Sequence, residues 1–253
     1  MDLPSFNLKV QGALSRRWIE LQKRVQNAVT LGKHQQTVRI IATSRGLMAD
    51  PVMEACEAGI ANFSEDYLPE GITKKPVIQH RFPLTIWHFT GVIQPNKLHL
   101  VVEFFDWVHL FDRATLLKPL SEACEKHKNK KIKILIEVNS LGHLKKHGAV
   151  ENDIPYLCDE IMKAPNIVLA GLSCKSELMM SRQTALKGYE KLQLLHQRLL
   201  KEGALPSTAT TLAMGTSRDL EEAIELGSTM IRVGSALFGK SAASTSTLPI
   251  DEF

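Results

Sequence analysis

The sequence has few cysteines, and the four that it has stand far apart. Cys56, Cys124, Cys158 and Cys174 form no C-x-x-C pair, whereas structural zinc sites and small secreted disulfide scaffolds need closely spaced cysteines. We therefore expect no metal site and no disulfide framework. The first ten residues, MDLPSFNLKV, carry an acid at position 2 and lack a long apolar stretch, which argues against a signal peptide. These features predict a cytoplasmic protein.

Long apolar runs and a strong charge of one sign are also missing. No stretch of about 20 apolar residues occurs, so no membrane span is expected. The 31 Lys and Arg side chains exceed the 27 Asp and Glu by only 4 and are dispersed, whereas nucleic-acid binding needs a basic stripe with a reader motif. Hence we expect neither a membrane nor a nucleic acid as partner. With 44% apolar and 23% charged residues, the composition is that of a globular protein.

Short β-rich runs alternate with helical patterns along most of the chain. An apolar stripe over Leu14, Trp18, Leu21, Val25 and Ala28 predicts a first helix that ends near Gly32. The predicted strands are Val38–Ser44, Ile60–Ser64, Ile86–Gly91, Trp107–Phe111, Ile132–Asn139, Ile167–Leu172, Thr211–Met214 and Met230–Val233. The predicted later helices run from Asp50 to Gly59, Asn96 to Phe105, Ala114 to His127, Glu151 to Lys163, Thr184 to Glu202 and Arg218 to Leu226, the last capped by Ser217.

This alternation predicts an α/β protein, a single (β/α)8 barrel with an extra N-terminal helix. Eight strands separated by helices, without a Gly/Ser/Pro-rich linker, fit one closed barrel over residues 1–240. A doubly wound open sheet is the alternative, but it usually carries a Gly-rich first turn, which is absent here. Residues 241–253 are small and polar and predict a flexible tail.

In a parallel barrel the loops that follow the strands meet on one face, which holds the functional site. The run MGTSRD places Gly215, Thr216 and Ser217 after the seventh strand, and Gly234 and Ser235 follow the eighth. Backbone N–H groups at such junctions suit a phosphate. The competing interpretation is that Ser217 caps its own helix and Gly234 only turns the chain.

Other strand-end residues leave alternatives open. Arg232, inside the eighth strand, needs a partner, either a ligand or an internal salt bridge. Glu65 and Asp66 follow the second strand, and one of them could be catalytic or pair with Arg45 across the barrel mouth. His88 lies opposite Trp87 and Phe89 on its strand, where a structural histidine bonded to backbone is favoured over a general base. Asp112 is a candidate cap for the following helix.

The ordered motifs IIATSRG, NFSEDY, WHFTGVIQPNK, EVN, LAMGTSRDLEEAIELGS and IRVGSALFG resemble the pyridoxal-phosphate homeostasis proteins, single-domain barrels related to the N-terminal domain of alanine racemase. The resemblance extends from about Val38 to Gly239. It implies that Thr216, Ser217, Gly234 and Ser235 hold the phosphate of this vitamin B6 cofactor and that Arg232 lies near its ring or phosphate. It also implies that Asn139 and His88 line the pocket.

The chain departs from the family pattern at its most reactive position. The family has Ser-Lys at the end of the first strand, where the lysine forms a Schiff base with pyridoxal phosphate, but this chain has Ser44-Arg45. A guanidinium stays protonated and is no nucleophile toward an aldehyde. The second motif also differs, because G-E-N-Y becomes Ser64-Glu65-Asp66-Tyr67. Asp66 could pair with Arg45.

Three explanations of this departure stay open. The protein could hold pyridoxal phosphate non-covalently, with Arg45 adding a bond to the ligand. Another lysine such as Lys175 could reach the aldehyde, or the barrel could have lost the cofactor and bind another phosphorylated ligand. We expect a monomeric pyridoxal-phosphate-binding regulator or carrier that is not a catalyst, because the second racemase base comes from a domain not found here. A barrel isomerase with Glu65 or Asp66 as base, or a protein-interaction pseudo-enzyme, is the alternative.

Overall fold

The computed structural model describes residues 12–141, 147–175 and 181–239. Its centre is a closed barrel in which eight parallel strands follow one another in chain order, and β8 pairs with β1. The strands are β1 Arg39–Thr43, β2 Asn62–Glu65, β3 Ile86–Phe89, β4 Trp107–Phe111, β5 Ile132–Glu137, β6 Ile167–Ser173, β7 Thr211–Thr216 and β8 Met230–Val233. The predicted barrel is therefore confirmed, with strand ends shifted by up to two residues.

Helices surround the barrel and connect its strands. They are α1 Ala13–Leu31, α2 Ala49–Glu57, α3 Leu68–Arg81, α4 Leu98–Phe104, α5 Leu117–Lys126, α6 Ile154–Lys163, α7 Arg182–Lys201, α8 Leu220–Glu225 and α9 Ser235–Phe238. Helix α1 buries Leu21, Val25 and Ala28 of the predicted stripe against α8 and the outer face of β8. None of the described helices is both long and apolar enough to cross a membrane.

Three sequence predictions on the helices were incomplete or wrong. Helix α3 was missed because Pro69 at its start and Pro76 inside it disguise the helical pattern. The stretches before α4, α5 and α6 begin as 3-10 turns at Pro95–Lys97, Ala114–Leu116 and Glu151–Asp153. Ser217 does not cap α8, whose N-cap residue is Asp219, so the helix starts at Leu220 instead of Arg218. The predicted tail, residues 241–253, lies outside the described residues.

Alternation along the strands separates two apolar regions. The barrel interior is filled by Ile41, Trp107, Leu135, Ala170, Ala213 and Met230, while a larger core lies between the strands and the helices. Successive side chains of a strand point to opposite faces, and Thr43, Ser64 and Glu137 are inward positions near the ends of their strands. Arg45, Asp66 and Asn139 each follow one of these positions by two residues. The fold thus gathers these side chains at the carboxyl-terminal mouth of the barrel.

Candidate ligand-binding site

The carboxyl-terminal mouth carries an ion pair between the first two strand ends. Arg45 Nη1 donates to Asp66 Oδ2 at 3.0 Å, which confirms that the two residues pair. The Arg45 side chain is 51% exposed and the Asp66 side chain 21%. The second carboxylate oxygen, Asp66 Oδ1, is buried and has no hydrogen-bond partner among the described residues. Arg45 therefore occupies only one side of this carboxylate.

A buried network lies behind this ion pair, between β1, β2 and helix α3. Ser44 Oγ donates to Glu65 Oε1 at 2.6 Å, and Lys74 pairs with both Glu65 and Glu70. Lys74 Nζ also donates to the Ser44 carbonyl at 2.7 Å, while the Gly46 amide donates to Glu70 Oε2 at 2.8 Å. Burial raises the pKa of Glu65 to about 7, against the opposing effect of Lys74. The network braces the turn that presents Arg45.

The same network shows which of the two acids at the end of β2, Glu65 or Asp66, faces the barrel mouth. The Glu65 side chain is fully buried and directed toward α3 through its bonds to Ser44 and Lys74, so it faces away from the barrel mouth. Asp66 is the residue that faces the mouth. Lys74 and Glu70 were not predicted from sequence. The signal available was their spacing of four residues, but it lay in the unrecognised helix α3.

Arg232 lies inside the barrel just below the mouth and is 9% exposed. Its Nη2 donates to the Cys174 carbonyl at 3.3 Å, and its Nη1 is buried with no hydrogen-bond partner among the described residues. Burial raises the pKa of Glu137, and the nearby positive charge of Arg232 opposes that shift. Glu137 accepts from Ser173 Oγ at 2.7 Å and from the Lys175 amide at 2.8 Å. Arg232 thus donates to one carbonyl and interacts electrostatically with Glu137, while its Nη1 has no partner among the described residues.

Lys175 follows β6 and completes the charged ring of the mouth. Partial burial is the main cause that lowers the pKa of Lys175, followed by the Arg232 charge; Asp66 and Glu137 oppose the shift. Lys175 therefore shares its electrostatic surroundings with these groups. We call the polar residues at this end of the barrel the rim cluster: Arg45, Asp66, Glu137, Asn139, Lys175 and Arg232.

The loops after β7 and β8 meet beside the rim cluster. Ser217 Oγ accepts from the Gly234 amide at 3.2 Å and from the Ala236 amide at 3.3 Å. The Thr216 amide donates to Asp219 Oδ1 at 2.7 Å. The Ser235 amide, at the first residue of α9, makes no hydrogen bond to another residue in the described part of the chain. The interpretation that Ser217 caps its own helix is therefore wrong, because Ser217 Oγ links the two loops instead.

The fold requires glycine at only one of the two glycine positions in these loops. Gly215 has φ +99°, and a Cβ there would lie 2.5 Å from the Ala223 Cβ, so the fold itself demands glycine. A Cβ at Gly234 would meet nothing closer than the Thr43 Cβ at 3.7 Å, and its φ is −119°. Packing therefore does not require glycine at position 234. The missing side chain leaves open space beside the Ser217 hydroxyl.

His88 lies deeper in the barrel than the rim cluster. His88 Nδ1 lies 2.9 Å from His109 Nε2, and His88 Nε2 lies 3.3 Å from Asn62 Oδ1. The prediction that His88 bonds to backbone was wrong, although its place opposite Trp87 and Phe89 is confirmed. Burial lowers the pKa of both histidines well below the usual value. His109, which the sequence did not single out, makes this pair a neutral part of the barrel interior.

Asn139 and Asp112 are two further residues that the sequence analysis singled out. Asn139 lies two residues past β5, and its amide donates to the Ala149 carbonyl at 3.0 Å. Asp112 caps no helix with its side chain; it pairs instead with Arg113 at 2.7 Å. Within the described ranges no group of three or more potential metal ligands is found.

Known proteins match the chain over most of its length. The family model for "Alanine racemase, N-terminal domain" matches residues 19–242. A pyridoxal phosphate homeostasis protein of Vibrio alginolyticus is 36% identical over 210 residues, covering 82% of this chain and 88% of that protein. The Pseudomonas aeruginosa protein of the same name is 35% identical over 212 residues, covering 84% and 88%. The chain belongs to the pyridoxal phosphate homeostasis protein family.

Solved structures agree with this family membership. PipY of Synechococcus elongatus, determined with PLP bound, has 26% identity and a TM-score of 0.76, covering 89% of this chain and all of PipY. An alanine racemase of Clostridium difficile shares the barrel fold at a TM-score of 0.66 and 14% identity, covering 88% of this chain and 59% of the racemase.

Proposed function

We propose that this chain binds pyridoxal 5′-phosphate without a covalent bond at residue 45. One observation carries the proposal: among the described residues the Ser235 amide makes no hydrogen bond, and it lies next to Gly234, whose backbone leaves open space. Backbone amides that converge on such a space form an anion site. The Ser217 hydroxyl oxygen accepts two N–H groups there, so its own proton is free to be donated to a phosphate oxygen.

The ring of the ligand would lie over the rim cluster. The buried Nη1 of Arg232 has no partner among the described residues, and a guanidinium is a suitable donor to a pyridine nitrogen. The group on the 4′-carbon, opposite that nitrogen on the ring, would then face Arg45 and Asp66. Bound pyridoxal 5′-phosphate would supply an electrophilic aldehyde. Arg45 cannot attack it, because its nitrogen lone pairs are delocalised, so the chain orients and shelters the ligand.

We favour a binding role over catalysis by an acid of the second strand end. Glu65 is turned into the packing between strands and α3, where no ligand at the mouth can reach it. The proposal is therefore a monomeric regulator or carrier of the cofactor that works in the cytoplasm. Large exposed apolar side chains such as Leu31, Met48 and Leu84 lie on separate elements, which supports a monomer. Size-exclusion chromatography with light scattering tests that point.

Binding is tested with the purified full-length chain. Mass spectrometry of the native protein and equilibrium dialysis with added pyridoxal 5′-phosphate should detect a one-to-one complex. Borohydride treatment should leave the wild-type chain unmodified, and peptide mapping would locate any adduct. No bound or titratable cofactor would refute the proposal, and an adduct on Lys175 would refute its non-covalent part.

The variant Arg45→Lys is the sharper companion experiment. If the rest of the site is intact, a lysine at position 45 should bond covalently to the aldehyde, giving visible absorbance and a borohydride-stable adduct on residue 45. Arg39→Lys is the matched control, since it makes the same change at the opposite end of β1 and should stay colourless. A colourless Arg45→Lys variant would contradict the proposed position of the aldehyde.

A further inference from the structure

The two oxygens of the Asp66 carboxylate have different surroundings. Oδ2 accepts from Arg45, while Oδ1 is buried and unpartnered among the described residues. A buried acceptor without a donor costs about 1–3 kcal/mol. A ligand that donates a hydrogen bond to Oδ1 would recover this cost, but a ligand that offers only an acceptor would not.

Asp66 faces the same space as the other charges of the rim cluster. It lies two residues beyond Ser64, whose hydroxyl donates to Thr43 Oγ1 at 3.3 Å on the inner side of the barrel. The Lys175 ammonium interacts electrostatically with Asp66 as well as with Arg232. Asp66 Oδ1 and Arg232 Nη1 are therefore two buried polar atoms near this end of the barrel, and neither has a partner among the described residues.

The strand order places these two groups on either side of β1. Arg232 lies on β8 and Asp66 follows β2, with β1 between these strands. A pyridine ring whose nitrogen meets Arg232 directs its para substituent, the 4′-group, away from β8. On that side Asp66 offers the buried acceptor, while the Arg45 guanidinium is already held on the outer oxygen, Oδ2.

Resting on the proposed function, we propose that the site prefers the phosphorylated vitamer that carries an amine on the 4′-carbon over the one that carries an aldehyde. The 4′-ammonium donates to Asp66 Oδ1 in a charge-assisted hydrogen bond, which is stronger than a bond between neutral groups. The aldehyde has no proton to donate, so it leaves Oδ1 unpaired. An aldehyde oxygen could accept only from Arg45, in competition with Asp66.

The test compares three ligands on the full chain: pyridoxamine 5′-phosphate, pyridoxine 5′-phosphate and pyridoxal 5′-phosphate, with dissociation constants from calorimetry at one pH and ionic strength. We expect the amine to bind about tenfold tighter than the aldehyde. Equal constants, or a tighter aldehyde or alcohol, would overturn the inference. Failure of all three ligands to bind would instead refute the proposed function, so the two failures are distinguishable.

Asp66→Asn assigns the preference to the carboxylate. It should reduce the amine-to-aldehyde ratio to below about threefold, because the neutral amide retains an acceptor but loses the charge. Asp112→Asn is the matched control: it changes another strand-end aspartate that pairs with an arginine, and it should keep the wild-type ratio. An unchanged ratio in Asp66→Asn would overturn the inference, and the wild-type comparison stands even if this variant fails to fold.

Discussion

Ser217 and Gly234 join the last two strand ends through one hydrogen bond, in which the Gly234 amide donates to the Ser217 hydroxyl oxygen at 3.2 Å. The bond places a hydroxyl where the two loops converge, and the Ala236 amide donates to the same oxygen. A phosphate oxygen at this point would meet the Ser217 hydroxyl and the Ser235 amide. The contact therefore connects the local packing of the loops to the proposed binding site.

Gly234→Ala should separate binding from stability. Its backbone φ of −119° suits alanine and the added methyl would have no close contact, so the melting temperature should stay the same or rise slightly. Affinity for pyridoxal 5′-phosphate should fall at least tenfold, because the methyl fills the space beside the amides. Calorimetry and thermal denaturation measure the two effects.

Gly215→Ala is the matched comparison. Its main effect should be on stability and not on the affinity for pyridoxal 5′-phosphate. A side chain at φ +99° and a contact of 2.5 Å to Ala223 should cost about 1–3 kcal/mol of folding free energy. For a chain of this size, that lowers the melting temperature by several degrees. A stable Gly215→Ala variant, or a Gly234→Ala variant with full affinity, would contradict our interpretation of the two glycines.

Arg232→Lys should weaken binding while leaving the fold nearly intact. Lysine keeps a positive charge near Glu137. It lacks the planar guanidinium, which donates to the Cys174 carbonyl through one nitrogen and presents a second donor through the other. We expect a roughly tenfold higher dissociation constant for pyridoxal 5′-phosphate, measured by dialysis. Unchanged affinity would show that the free donor of Arg232 does not contact the ligand.

The Glu65 carboxyl should make stability fall as the pH rises. Its pKa increases from 4.5 to about 7 on folding, mainly through burial, so the folded chain holds this proton more tightly than the unfolded chain. The contribution is fully present below pH 4.5 and is lost as the pH rises through about 7. Over that interval the difference in unfolding free energy between the wild type and Glu65→Gln should change by roughly 3 kcal/mol. Urea titrations at several pH values measure it, and parallel curves would contradict it.

The His88–His109 pair should act in the opposite direction. Burial keeps both imidazoles neutral in the folded chain, whereas the histidines of the unfolded chain become protonated below about pH 6.5. The stabilising contribution is therefore present above that pH and is lost as the pH falls, by up to about 1.4 kcal/mol per pH unit for each proton. Nitrogen-15 NMR should show constant ring shifts for both residues between pH 7.5 and 5.5. A titration in that range would contradict the assignment.

The sequence determined the order of strands and helices, because the alternation of apolar residues and the capping signals are local. It also located the strand ends to within two residues, and it determined that the side chain at position 45 is no amine. Helix α3 escaped because Pro69 and Pro76 weaken the local pattern, although the surrounding packing holds that segment helical.

Only the tertiary structure decided which partner each polar group takes. Glu65 and Asp66 are neighbours in sequence, yet alternation and the position of Lys74 send one into the packing and the other to the mouth. Ser217 bonds across to Gly234 instead of its own helix, and His88 meets His109 from the next strand. Such choices depend on strand register around the closed barrel, which brings together atoms that no local pattern relates.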